Sequence, residues 1–208
     1  MTRTVEVSIL SPEQQRDTIQ LMSLYQTDQA HCERVMHFSR QLFTLTKSVG
    51  FSHEQPLRQN SNEHQLLLRL TLAALLHDIG HFINDKGHHK HSRYLIQTAR
   101  QTTTWEKKVR DDVAALAFTH RKKADRSWLI THFKGSKELF QLAAILRVAD
   151  GLDRKHAAGV RILGGQFEQD RYVLEVTGLQ ATHAKRLAEK KADAWKMAFG
   201  HSLALKIR

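Results

Sequence analysis

Residues 75–83 read LLHDIGHFI, so two ionisable side chains, His77 and Asp78, close a strongly apolar run. Asp150 raises the same problem. In KELFQLAAILRVADGLDR it follows Leu139, Ala143 and Leu146 at helical steps of three and four. A carboxylate buried without a partner costs several kcal/mol or is forced to protonate, so both aspartates need compensation. A metal ion is one candidate, because imidazole and carboxylate together suit a first-row divalent cation, and the C-terminal end of a helix adds its negative dipole. Adjacent helical residues diverge by about 100°, so one ion reaches both His77 and Asp78 only close to a helix end. A plainer reading uses the same residues: His77 and Asp78 as a hydrogen-bonded core pair, Asp150 neutralised by Arg147 or Arg154, and His31 and His120 as ordinary satisfied histidines.

The elements that must position these groups are mostly helical. Asp28 is an N-cap for a helix whose inward stripe runs His31, Val35, Phe38, Leu42, Leu45. Residues 64–79 are apolar nearly all round, as in a covered central helix, with Gly80 where a C-terminal cap belongs. A further helix starts near KHSRYLI, with His91, Leu95 and Ala99 on one face. Thr103 and Glu106 have capping-box spacing ahead of Val109, Val113, Leu116 and His120. After Gly159 the pattern alternates as in short strands, a helix is expected over about 182–199, and HSLALKI reads as one more strand. The fold expected is therefore mainly α: a helical body over residues 1–157 and a small α+β subdomain over 158–208, with a short antiparallel sheet plus helix.

The composition, 41% hydrophobic and 25% charged with only 2 Pro, is that of a globular chain rather than a disordered one. No apolar run approaches the roughly 18 residues of a membrane span, and the first residues carry no apolar signal core. No membrane partner is expected. The single Cys32 excludes an internal disulfide and agrees with a cytoplasmic location. The net charge of +11 resides mostly in residues 105–208 and would concentrate phosphate-rich partners, weak nucleic-acid binding included. The basic run 184–208 itself reads as a solvated helix face.

The ordered set His31, His77 with Asp78, and Asp150 resembles the H…HD…D signature of HD-domain metal-dependent phosphohydrolases. Wider stretches, LLHDIGHFINDKGHHKHSRYLI, FTHRKK, ILRVADGLDRKH and the tail ADAWKMAFGHSLALKI, resemble the C-terminal helical region of the exopolyphosphatase and guanosine pentaphosphatase family. The resemblance covers roughly residues 15–208. The larger members of that family carry their polyphosphate-cleaving site in an actin-like half that this sequence does not show, so their activity does not transfer directly.

The resemblance implies an HD-type helical bundle in which His31, His77, Asp78 and Asp150 bind one divalent metal ion. His91 and His120 match the positions that add a second ion, with Asp78 bridging and thereby the catalytic residue. Mn, Fe, Mg, Co, Ni and Zn are not distinguished. Such ions activate water and neutralise charge on the phosphate under attack. Arg121, Lys122, Lys123 and Arg154 stand beside the motifs as holders of phosphate oxygens. His81, His88, His89 and His156 are supporting or substrate-contacting candidates, whereas His37, His53, His64, His132, His183 and His201 have no pattern behind them.

The functional expectation is a metal-dependent phosphohydrolase acting on a phosphomonoester or phosphoanhydride, with a nucleotide or similar small phosphorylated compound as substrate. Two alternatives stand beside it. One is a non-catalytic module binding polyphosphate, a nucleotide alarmone or RNA. The other is a partner subunit of a separate actin-like phosphatase.

Overall fold

The computed structural model describes residues 9–50, 61–121, 126–154 and 159–208. Lys122, Lys123, His53, His156 and the boundary expected at 157/158 lie outside the described residues. Helix α1 (Pro12–Leu24) opens on a capping box, in which Ser11 Oγ accepts from the Gln14 amide and Gln14 Oε1 from the Ser11 amide. The Trp105 indole N–H donates to Asp17 at 3.0 Å and ties α1 to the body. Helix α2 (Gln29–Gly50) starts at the expected cap, with Asp28 Oδ1 accepting the His31 amide at 3.0 Å, and buries His31, Val35, Phe38 and Leu42.

Helices α3 (Ser61–Leu76), α4 (His88–Thr98), α5 (Lys107–Thr119), α6 (Arg126–Phe133) and α7 (Lys137–Leu152) complete the body. Every residue of α7 from Gln141 to Leu152 is buried, and α2, α3, α5 and α6 all pack on it. It is the axis of the bundle, a part the sequence reading gave to 64–79. Two capping expectations are corrected. Thr103 lies in a 3-10 turn, Arg100–Thr104, and donates its hydroxyl to the Arg100 carbonyl, while the Glu106 side chain makes no cap hydrogen bond. Gly80 is not a left-handed cap, because it lies inside a 3-10 turn, Ile79–Phe82, and its smallness serves a close approach described below.

The C-terminal piece holds strands β1 (Arg161–Glu168), β2 (Arg171–Thr177) and β3 (Ser202–Ile207) with helices α8 (Ala181–Lys191) and α9 (Asp193–Phe199). β1 and β2 form an antiparallel hairpin, but β3 runs parallel to β2, so the sheet is mixed rather than antiparallel throughout. The reason is the connection: two helices between β2 and β3 carry the chain back to the end where β2 began, as parallel pairing requires. The single helix expected over 182–199 breaks at Ala192. Ile162, Tyr172, Leu174 and Trp195 join the same apolar core as the bundle, and the Tyr172 hydroxyl donates to the Leu45 carbonyl. Among the described residues no helix is long and apolar enough to cross a membrane.

Candidate metal centre

Because α3 stops at Leu76, His77 and Asp78 leave the helix in a turn, as the need for both to face one place demands. The Asp78 carboxylate, buried on a residue only 5% exposed, is divided between two groups of imidazoles. Its Oδ2 lies 3.5 Å from His77 Nε2 and 3.6 Å from His31 Nε2. Its Oδ1 lies 3.3 Å from both His88 Nε2 and His120 Nε2. His31 Nε2 is in turn 3.8 Å from Asp150 Oδ1, and the His88 and His120 Nε2 atoms are 3.0 Å apart. Two buried trios result, His31 with His77 and Asp150, and Asp78 with His88 and His120, each with its donor atoms within 4.8 Å of one another.

The ring orientations fit metal ligation. His31 Nδ1 donates to Asp153 Oδ2 at 2.7 Å, His77 Nδ1 to the Ala74 carbonyl at 2.8 Å, and His120 Nδ1 to the Ala117 carbonyl at 2.5 Å. Each bond fixes the proton on Nδ1 and turns the Nε2 lone pair toward the centre. His77 Nε2, Asp78 Oδ1 and Asp150 Oδ1 are buried there without a hydrogen-bond donor. Acceptors turned on one another repel unless a cation lies among them. Atoms bonded to one ion at about 2.1 Å stand about 3.0 to 3.4 Å apart, the separation seen in the second trio and slightly exceeded in the first.

The electrostatics agree. Burial lowers the His77 imidazole to about 4 and that of His88 to about 3, and drives His120 well below its ordinary value. All three are neutral near pH 7, the form a ligand needs.

Of the residues expected from the sequence, His31, His77, Asp78, His120 and Asp150 converge, and His91 does not. His88 stands where His91 was expected. Helix α4 starts at His88 behind a left-handed Gly87, φ 86°. A Cβ on Gly80 would stand 2.1 Å from the His88 carbonyl oxygen, so the glycine lets the turn after Asp78 dock on the first residue of α4. His91, about 4.5 Å further along the axis at 1.5 Å per residue, is partly buried in a cavity wall instead. Of the supporting candidates, His81 donates to Asp85 and stacks on His88, and His89 packs against Phe118.

That cavity, about 1070 Å³, opens beside the trios and is strongly cationic, with Lys90, Arg121, Arg147, Arg154, Lys190 and Lys191 in its wall. Arg154 reaches to 3.7 Å from Asp150 Oδ1, and Arg121 lies 3.0 Å from His88 Nδ1. Arg147, offered above as a neutraliser of Asp150, binds Asp193 and the Thr119 carbonyl instead. Besides Arg154, Asp150 meets a second cation, Lys191, whose ammonium contacts Oδ2 and also donates to the His120 carbonyl at 3.1 Å. Burial, with Arg147 adding, lowers Lys191 from 10.5 to about 7.

Sequence reasoning missed Lys191 and Asp153. Asp153 carried a usable signal, three residues after Asp150 at the end of α7, and it also binds Arg34. Lys191 had none, standing in a basic run on a helix the sequence gave to solvent. Its position follows from Gly151, where a Cβ would meet the Ala188 Cα at 2.7 Å: α7 and α8 touch backbone to backbone, and Lys191, one turn beyond Ala188, falls over Asp150.

No curated protein matches the chain. The family model of the Ppx/GppA phosphatase, domain III, matches residues 14–201, a span that takes in both trios and the cationic wall. On that match the chain belongs to the Ppx/GppA phosphatase domain III family.

Proposed function

We propose that this chain is a metal-dependent phosphohydrolase of the HD type, acting on a phosphomonoester or phosphoanhydride of a nucleotide or a similar small phosphorylated compound. The observation that carries the reading is the divided Asp78 carboxylate beside the cationic cavity. His31, His77 and Asp150 would hold one ion, His88 and His120 a second, and Asp78 one oxygen of each set. Bound there, divalent ions supply an activated water and neutralise phosphate charge. The chain's own residues do the rest. Asp153 keeps His31 in the ligating tautomer, Arg121 and Arg154 offer planar donors to phosphate oxygens, and the cavity has room for a ligand of nucleotide size.

A second reading has one observation in its favour. Lys191 already neutralises one oxygen of Asp150, as suits a module that binds anions without hydrolysing them.

The two are separated by phosphate release from small nucleotides with added manganese, before and after chelation. The enzyme loses activity on chelation and regains it with metal. Asp78→Asn, which keeps shape and removes charge, lowers turnover by about a hundredfold or more, the scale of a lost electrostatic stabiliser, and metal content falls with it. Unchanged phosphate release in Asp78→Asn would place the activity elsewhere and leave the binding reading.

A further inference from the structure

Lys191 belongs to the C-terminal α+β piece, yet its ammonium stands on two groups of the helical body, Asp150 Oδ2 and the carbonyl of His120. Those residues come from different trios. The side chain is only 18% exposed, and it also lines the cavity. An ammonium carries three donors, and the two acceptors named use two of them. The third is used by neither, and the side chain borders the cavity.

Of the other cations of the wall, Arg154 also approaches Asp150, its guanidinium 3.7 Å from Oδ1. Arg147 is bound to Asp193 and the Thr119 carbonyl, and Lys190 is exposed. Lys191 reaches the site because α8 packs on α7 at Gly151, and it is the last residue of α8.

We propose that Lys191 anchors a phosphate oxygen of the cavity's ligand against Asp150, so that the α8–α9 segment supplies a binding residue to a site otherwise built by the bundle. The inference rests on reading the cavity as a phosphate site, but not on turnover. Lys191 is a binding residue with a second contact: one donor stays on Asp150 while another holds the anion beside the ligand trios.

The test is inorganic phosphate binding to the full chain by calorimetry, in chelator and again with manganese. Lys191→Met weakens phosphate by about tenfold or more, the scale of a charged hydrogen bond, while folding by circular dichroism is kept. Lys191→Arg restores most of the affinity. Lys196→Met, which removes an exposed charge of α9 outside the cavity wall, costs no more than about twofold, as surface charges do. In the unmutated chain, phosphate shields Lys191 from amine acylation, a readout that holds even if Lys191→Met fails to fold. Wild-type phosphate affinity in Lys191→Met, equal losses in both methionine variants, or acylation of Lys191 unaffected by phosphate would each overturn the assignment. A chain that binds no manganese would instead defeat the metal reading, with the measurement in chelator still deciding on Lys191.

Discussion

The trio of His31, His77 and Asp150 and the trio of Asp78, His88 and His120 meet at one carboxylate but are held together by different means. The first is looser, with separations of 3.5 to 3.8 Å when its contacts with Asp78 are included, and besides the Ala74 carbonyl behind His77 it is braced by charged side chains, Asp153 behind His31 and Lys191 on Asp150. The second is tighter, at 3.0 to 3.3 Å, and is braced by the backbone: the Ala117 carbonyl behind His120 and the Gly80 contact beneath His88. The first position has Asp150 in addition to its share of Asp78, and the second has only its share of Asp78 among imidazoles. Two ions bound here would be unequal. The first depends on a charge network that reaches into the C-terminal piece, and the second on how closely a turn can pack on a helix.

Substitutions that touch one trio at a time test this inequality. Asp150→Asn has the largest expected effect: it removes the first ion while the second remains, so metal content falls by one per chain and turnover by about a hundredfold or more. His88→Gln should do the converse, emptying the second position with the first intact. Anomalous scattering from crystals soaked in manganese would show which position survives in each variant, and loss of both ions in either one would contradict separate bracing. Asp153→Asn removes no ligand but loosens His31, so titration should show affinity for the first ion reduced by about 10 to 100-fold and the second unchanged. His91→Gln is the smallest change. It leaves metal content at the wild-type value and alters phosphate affinity by no more than a few-fold, and loss of an ion there would restore His91 as a ligand in place of His88.

Much of the centre was legible because burial of a charged group is conspicuous against an apolar stripe. His31, His120 and Asp150 each interrupt a run of core residues at helical spacing, and His77 with Asp78 ends one. The choice between His88 and His91 was not legible in the same way. Both lie on the same helix, and it is settled by how far along the axis a turn docks, which depends on contacts of Gly80 that no periodicity reports. Lys191 was invisible for a different reason: its neighbours Lys190 and Arg186 follow a solvated pattern, and only the packing of Gly151 on Ala188 brings one lysine of the run inside. In the sheet, strand positions followed from alternation, but the direction of β3 depended on a two-helix connection that the sequence presented as one helix.

The spread of the ligand set along the chain also fixes when the centre can exist during folding. Its candidate ligands are spread along the chain from residue 31 to residue 150, so no local nucleus contains more than a fraction of them, and bringing them together carries a loop-closure cost before the contacts are rewarded. Metal should therefore bind a body that has already collapsed. Stabilisation gained after the rate-limiting step shows itself in slower unfolding rather than faster folding. In a stopped-flow experiment, manganese would lower the unfolding limb of the chevron and leave the refolding limb where it was, and during synthesis the full ligand set could not close until α7 had delivered Asp150.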